Sequence, residues 1–177
     1  MKNKDKTTTL VITALMTALV LICTLLLRIP CGPDCYIHLG DTVIFLAVLI
    51  LPRRYACFAG SVGAALADLM GGFAFWAPWT FFIKLIMVLV FGVYVDKSRK
   101  LDAAEVEMKT LAGIPNIELA GLVLACIVGV GGYFVSEIIL FGQWIGALAC
   151  VGFNSIQVAV DAVIAMLAYR KLNIEKM

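Results

Sequence analysis

Between Leu10 and Leu27 the chain reads LVITALMTALVLICTLLL, an apolar run interrupted only by Thr13, Thr17 and Thr24. About 20 such residues in a helix cross the hydrocarbon core of a bilayer. More apolar segments follow, separated by short stretches holding Gly, Pro and charge. Of the 177 residues, 63% are hydrophobic and 15% charged, more apolar surface than a water-soluble domain of this length can bury. Lipid is therefore the expected solvent. The basic N-terminus ahead of the first run looks like a secretory leader. The run is long for one, however, no A-x-A site follows, and further apolar segments come after it, so it reads as a retained first helix.

The pattern predicts an all-α integral membrane protein, a six-transmembrane-helix bundle forming a single membrane domain over residues 1–177. Spans are expected at about 7–29, 37–51, 55–70, 76–95, 117–141 and 144–169. The second is short for a bilayer crossing. Charge placement supports the count: with six spans, all of the 14 basic residues except Arg28 and Lys84 fall on one side. The excess of Lys and Arg on cytoplasmic loops then puts the N- and C-termini in the cytoplasm. The long connection from Asp96 to about Asn116 carries mixed charge and reads as a solvated linker, with a short surface helix or partner contact as the alternative. A net charge of +2 implies no nucleic-acid partner. No H-E-x-x-H, G-x-S-x-G or phosphate-loop pattern occurs, so no catalytic residue, metal or cofactor is expected.

The stretch DLMGGFAFWAPWTFFIK, Asp68 to Lys84, joins two apolar segments through an aromatic turn with an ionisable residue at each end. A lysine near the centre of a spanning helix costs roughly 2.5–3.5 kcal/mol to insert. Such a residue marks a functional site by default. At about 1.5 Å per residue, Lys84 lies about 12 Å below the outer end of its span, Asn154 about 15 Å and Gln157 about 20 Å. Helical phase puts Trp76, Thr80 and Lys84 on one face of the fourth span, with Trp79 nearby. Tyr133 and Glu137 share a face of the fifth, with Ser136 beside them, and Asn154, Gln157 and Asp161 share one of the sixth. Asp68 and His38 stand near the outer surface. Lipid satisfies none of these groups, so they are expected to turn inward and line an outward-facing pocket for a small, flat, polar heterocycle. The competing expectation is a set of interhelical hydrogen bonds with a structural Lys84–Glu137 or Lys84–Asp68 pair. Asp41 reads as a packing or loop-anchoring residue, and Asp161 as structural.

Small residues recur four apart at Ala14 and Ala18, Gly60 and Ala64, Gly63 and Ala67, and along Gly121, Ala125 and Gly129. In lipid such faces let helices approach closely. Internal packing is the default for all of them, and Ala14 and Ala18 are the pair placed to meet a partner protein. Cys23, Cys57, Cys126 and Cys150 lie in apolar runs, where a free thiol serves as a small hydrophobe. Cys31 and Cys35, in the loop sequence CGPDC, are either a disulfide or two thiols.

Three stretches, YIHLGDTVIFLAVLILP, GSVGAALADLMGG and WAPWTFFIK, together with the six-span layout and the A-x-x-x-A pair, resemble the substrate-binding S components of energy-coupling factor (ECF) transporters. The likeness covers nearly the whole chain. It implies high-affinity binding of one vitamin or precursor near the outer face, under loops at about Pro30–Ile37 and Gly71–Phe75. The HLGD-type second helix is similar to carriers of pyridoxine, hydroxymethylpyrimidine or riboflavin. Implied partners are a transmembrane coupling subunit, docked at Ala14 and Ala18, and two cytoplasmic ATPases that supply the energy. The alternatives are an integral membrane enzyme, for which only His38 and Asp41 offer an acid–base pair, and a stand-alone facilitator, for which no internal repeat is found.

Overall fold

The computed structural model describes residues 6–30, 36–104, 107, 110–111, 114–142 and 144–171. The described residues form six α-helices in chain order: α1 (Lys6–Leu26), α2 (Gly40–Ile50), α3 (Arg53–Met70), α4 (Ala77–Ala103), α5 (Asn116–Phe141) and α6 (Trp144–Lys171). Four two-residue strands make two antiparallel ladders. One pairs β1 (Ile29–Pro30) with β2 (Tyr36–Ile37), between α1 and α2. The other pairs β3 (Thr110–Leu111) with β4 (Ile114–Pro115), ahead of α5.

Helices α1, α4, α5 and α6 are long and apolar enough to cross a membrane. Their outer faces carry exposed Leu, Ile, Val and Phe, as a lipid-facing surface requires. Helix α2 is different. Its faces are buried almost all round, with Ile44, Phe45, Ala47 and Val48 in the core, and it packs against α1, α3, α4 and α6. A helix wrapped by protein need not match the bilayer thickness, which accounts for its 11 residues. The expected second span begins too early: Tyr36 and Ile37 are strand, and the helix starts at Gly40.

Close approach of helices follows the small residues. A Cβ on Gly63 would come within 2.8 Å of the Thr17 carbonyl, so α3 crosses α1 almost backbone to backbone. Gly121 and Gly129 of α5 likewise seat the side chains of Tyr94 and Met87 from α4. Ala64, Ala67 and Ala125 are buried, whereas Ala14 and Ala18 are exposed on α1.

The connection after Asp96 departs from a solvated linker, because α4 continues through it to Ala103. The extension has a structural task. Arg99 donates from Nη2 to the Leu49 carbonyl at 2.6 Å, supplying a cation and a donor to the last turn of α2. Asp96 sits between Arg53 at 3.5 Å and Arg99 at 3.8 Å. Helix α5 ends at Gly142, whose left-handed φ of 66° suits a residue without a side chain. Cys23, Cys57 and Cys126 are free, as expected, but Cys150 is disulfide-bonded rather than a free thiol. The Cys31–Cys35 question lies outside the described residues.

Candidate functional site

Two concavities stand out among the described residues. The larger, about 870 Å³ between α5 and α6, is lined by aliphatic side chains such as Leu122, Ile127, Val158 and Val163. It offers almost no polar group to orient a ligand. The smaller, about 40 Å³, is lined by Tyr36, His38, Trp76, Tyr133, Glu137, Asn154 and Gln157. It draws on the segment before α2, the start of α4, and the halves of α5 and α6 that meet there. Placed polar groups against aromatic faces make this the candidate site.

The α2 approach is built by its own polar residues. The Gly40 N–H donates to His38 Nδ1 at 3.0 Å, so a neutral ring carries its proton on Nε2. The His38 N–H donates to Gln157 Oε1 at 3.2 Å, tying this segment to α6. Space is tight here, since a Cβ on Gly40 would overlap the Thr24 hydroxyl of α1.

Next to Tyr133 of the cavity lining lies a buried ion pair. Lys84 Nζ is 2.7 Å from Asp41 Oδ1 and 2.9 Å from Oδ2. Both residues are almost fully buried, at 1% and 2% exposure. The partner of Lys84 is therefore Asp41 of α2, not Glu137 or Asp68. In an apolar interior a buried ammonium needs such a partner to remain charged. At the next residue, the Thr42 hydroxyl donates to Asp161 Oδ1 at 2.5 Å, so neighbouring residues of α2 grip α4 and α6. Asp161 is completely buried.

The cavity and the ion pair are connected. Lys84 Nζ lies 4.9 Å from the centroid of the Tyr133 ring, whose other environment is the cavity. Tyr133 Oη stands 3.4 Å from Thr80 Oγ1. The Tyr36 hydroxyl donates to Asp68 Oδ1 at 2.8 Å. Burial, then the Asp68 carboxylate, pushes the Tyr36 phenol pKa up, so it remains a donor. Above these groups Phe75, Trp76 and Phe141 pack at centroid distances of 5.8–6.1 Å, and Trp76 is 6.1 Å from Tyr133.

Of the residues expected at a pocket, His38, Trp76, Tyr133, Glu137, Asn154 and Gln157 are brought to one cavity. Thr80, Lys84 and Asp68 stand behind its walls, and Trp79 packs on the hydrophobic core. Tyr36 of the lining escapes the sequence reading, as does Arg28, which stacks on the Tyr36 ring. For Arg28 a signal existed, since it breaks the one-sided distribution of basic residues.

The family of ECF-type riboflavin transporter S components matches residues 4–174. The chain belongs to this family. It is thus the substrate-binding component of a vitamin importer, a multi-pass membrane protein and not an enzyme. A protein of Pyrococcus woesei, described as an uncharacterized protein in the gap 3′ region, is 32% identical over 146 residues, covering 82% of this chain and 87% of that one. Among solved structures, the S component for biotin from an ECF-type ABC transporter superposes with a TM-score of 0.59 at 22% identity. That likeness spans 96% of this S component and 95% of the other chain, and it bears on the fold alone.

Proposed function

We propose that this S component captures a flat heterocyclic vitamin at the cavity between α2, α4, α5 and α6, and that the ligand is riboflavin. The carrying observation is the convergence of His38, Trp76, Tyr133, Glu137, Asn154 and Gln157 on one small concavity. Aromatic walls remove water from a ring system, and the amides of Asn154 and Gln157 read its edge. Thr80, Trp79, Asp68 and Lys84 complete the binding residues in this reading, with Lys84 acting through the Tyr133 ring. Drug-sized ligands occupy roughly 300–1,000 Å³. Against the present 40 Å³, riboflavin binding requires the Phe75, Trp76 and Phe141 cluster to move outward. The tight cavity favours a second reading, a smaller pyridoxine- or hydroxymethylpyrimidine-like ligand.

The topology proposed with it is a single membrane domain of six spans, both termini cytoplasmic and the cavity facing outward. Supporting this are the one-sided Lys and Arg and the four long apolar helices. The energy comes from a coupling subunit and two cytoplasmic ATPases, with Ala14 and Ala18 on the exposed face of α1 as the docking pair. Mass spectrometry of the small molecule released from the purified protein tests the ligand. Riboflavin, or one of the smaller heterocycles, is expected. A chain that releases neither after growth on both would count against the proposal.

A further inference from the structure

Arg28 follows α1 at the same end of the bundle as the cavity, and its surroundings are built rather than incidental. Its guanidinium carbon lies 4.0 Å from the centroid of Tyr36 and 4.8 Å from that of Phe73. It is also seated against Gly71, where a Cβ would come within 2.8 Å of Nη1 and 2.9 Å of Nη2. A side chain at position 71 would displace it. Yet Arg28 Nε and Nη2 are buried and find no hydrogen-bond partner among the described residues. Those two N–H groups point the same way and form the side-on edge of the guanidinium, which holds two acceptors at once.

A complementary orphan stands nearby. Asp68 is 1% exposed and uses Oδ1 to accept from Tyr36, while its buried Oδ2 has no hydrogen-bond partner among the described residues. Arg28 and Asp68 are within charge–charge reach but form no ion pair. Tyr36 joins all three features: its ring stacks under Arg28, its hydroxyl binds Asp68, and it lines the cavity.

Leaving buried charged groups unsatisfied is costly, and structures keep such groups where something else supplies the partner. We propose that Arg28 and Asp68 form a paired anchor for the polar edge of the ligand, Arg28 donating to a carbonyl oxygen or ring nitrogen and Asp68 accepting from an adjacent N–H. The two opposite charges select a neutral edge. A free carboxylate or phosphate would satisfy Arg28 but meet the Asp68 anion. The matching class is a lactam or imide heterocycle, in which C=O and N–H stand side by side. This assignment rests on the vitamin-capture reading above and narrows it.

The test uses the purified chain, riboflavin as an imide, riboflavin methylated at its imide nitrogen, and pyridoxine, with affinities read from tryptophan fluorescence. The wild-type protein is expected to bind riboflavin at least tenfold more tightly than the methylated form. Asp68→Ala should abolish that preference. Arg28→Met, which keeps an unbranched apolar side chain and removes the guanidinium, should weaken riboflavin tenfold or more and leave the unfolding midpoint of the ligand-free protein unchanged or higher. Equal binding of both flavins by the wild type, unchanged affinity in Arg28→Met, or a lowered ligand-free midpoint in that variant would overturn the assignment. Binding of pyridoxine without riboflavin would overturn it while leaving vitamin capture standing. Binding of none of the three would remove both.

Discussion

Lys84 and Asp41 show how one residue pair fixes the chemistry of the site. Two charges held 2.7 Å apart in a nearly water-free interior are mutually dependent. Removing one partner of such a pair typically costs about 3–5 kcal/mol, because the other is left buried and unpaired. Asp41→Ala is therefore expected to lower the stability of the detergent-solubilised protein by about that much, as measured by thermal unfolding. The double variant Lys84→Met with Asp41→Leu should recover most of the loss, and its failure to do so would show that the pair is not coupled. Lys84→Ala should also weaken vitamin binding more than tenfold, since the ammonium beneath Tyr133 polarises the wall of the cavity. Helical phase told which face of α4 carries Lys84, but not which helix that face meets. The acidic partner is therefore not legible in the sequence, where Asp41 reads as a packing or loop-anchoring residue. The cavity lining was more legible, because polar groups in an apolar helix have few places to go.

At the scale of elements, the bundle is set by where side chains are missing. Gly63 allows α3 to lie against Thr17 and Val20 of α1, and any added carbon meets backbone. Gly63→Ala should destabilise the protein by about 1–3 kcal/mol, the usual cost of overpacking, with a smaller effect at Gly131, where a Cβ meets nothing within 4 Å. Comparing the unfolding midpoints of the two alanine variants checks this. A different device closes α2: the Arg99 bond to the Leu49 carbonyl. The long apolar helices were legible because lipid demands a long unbroken run. The role of α2 was not, since a short buried helix and a short span present the same apolar string. Nor was the reach of α4 beyond Asp96, where charged residues read as solvent-exposed linker are equally at home on a helix end.

As a whole molecule, the protein gathers its cavity-lining polar groups at one end of the bundle and leaves apolar helix faces exposed. Ala14→Trp is expected to block assembly with the coupling subunit while vitamin affinity stays within about twofold. Co-purification of the complex and a binding titration on the same preparation separate the two effects, and joint loss would mean misfolding instead of docking. Vitamin capture by this protein depends most on the cavity being the place where the ligand is held. Equilibrium titration of the purified wild-type protein and of Asn154→Ala with riboflavin and pyridoxine, followed by tryptophan quenching, addresses it directly. Saturable one-to-one binding with Kd below about 1 µM, weakened at least tenfold by Asn154→Ala, is the result expected. Saturable binding that ignores Asn154, or no binding of either vitamin by a folded protein, would contradict it.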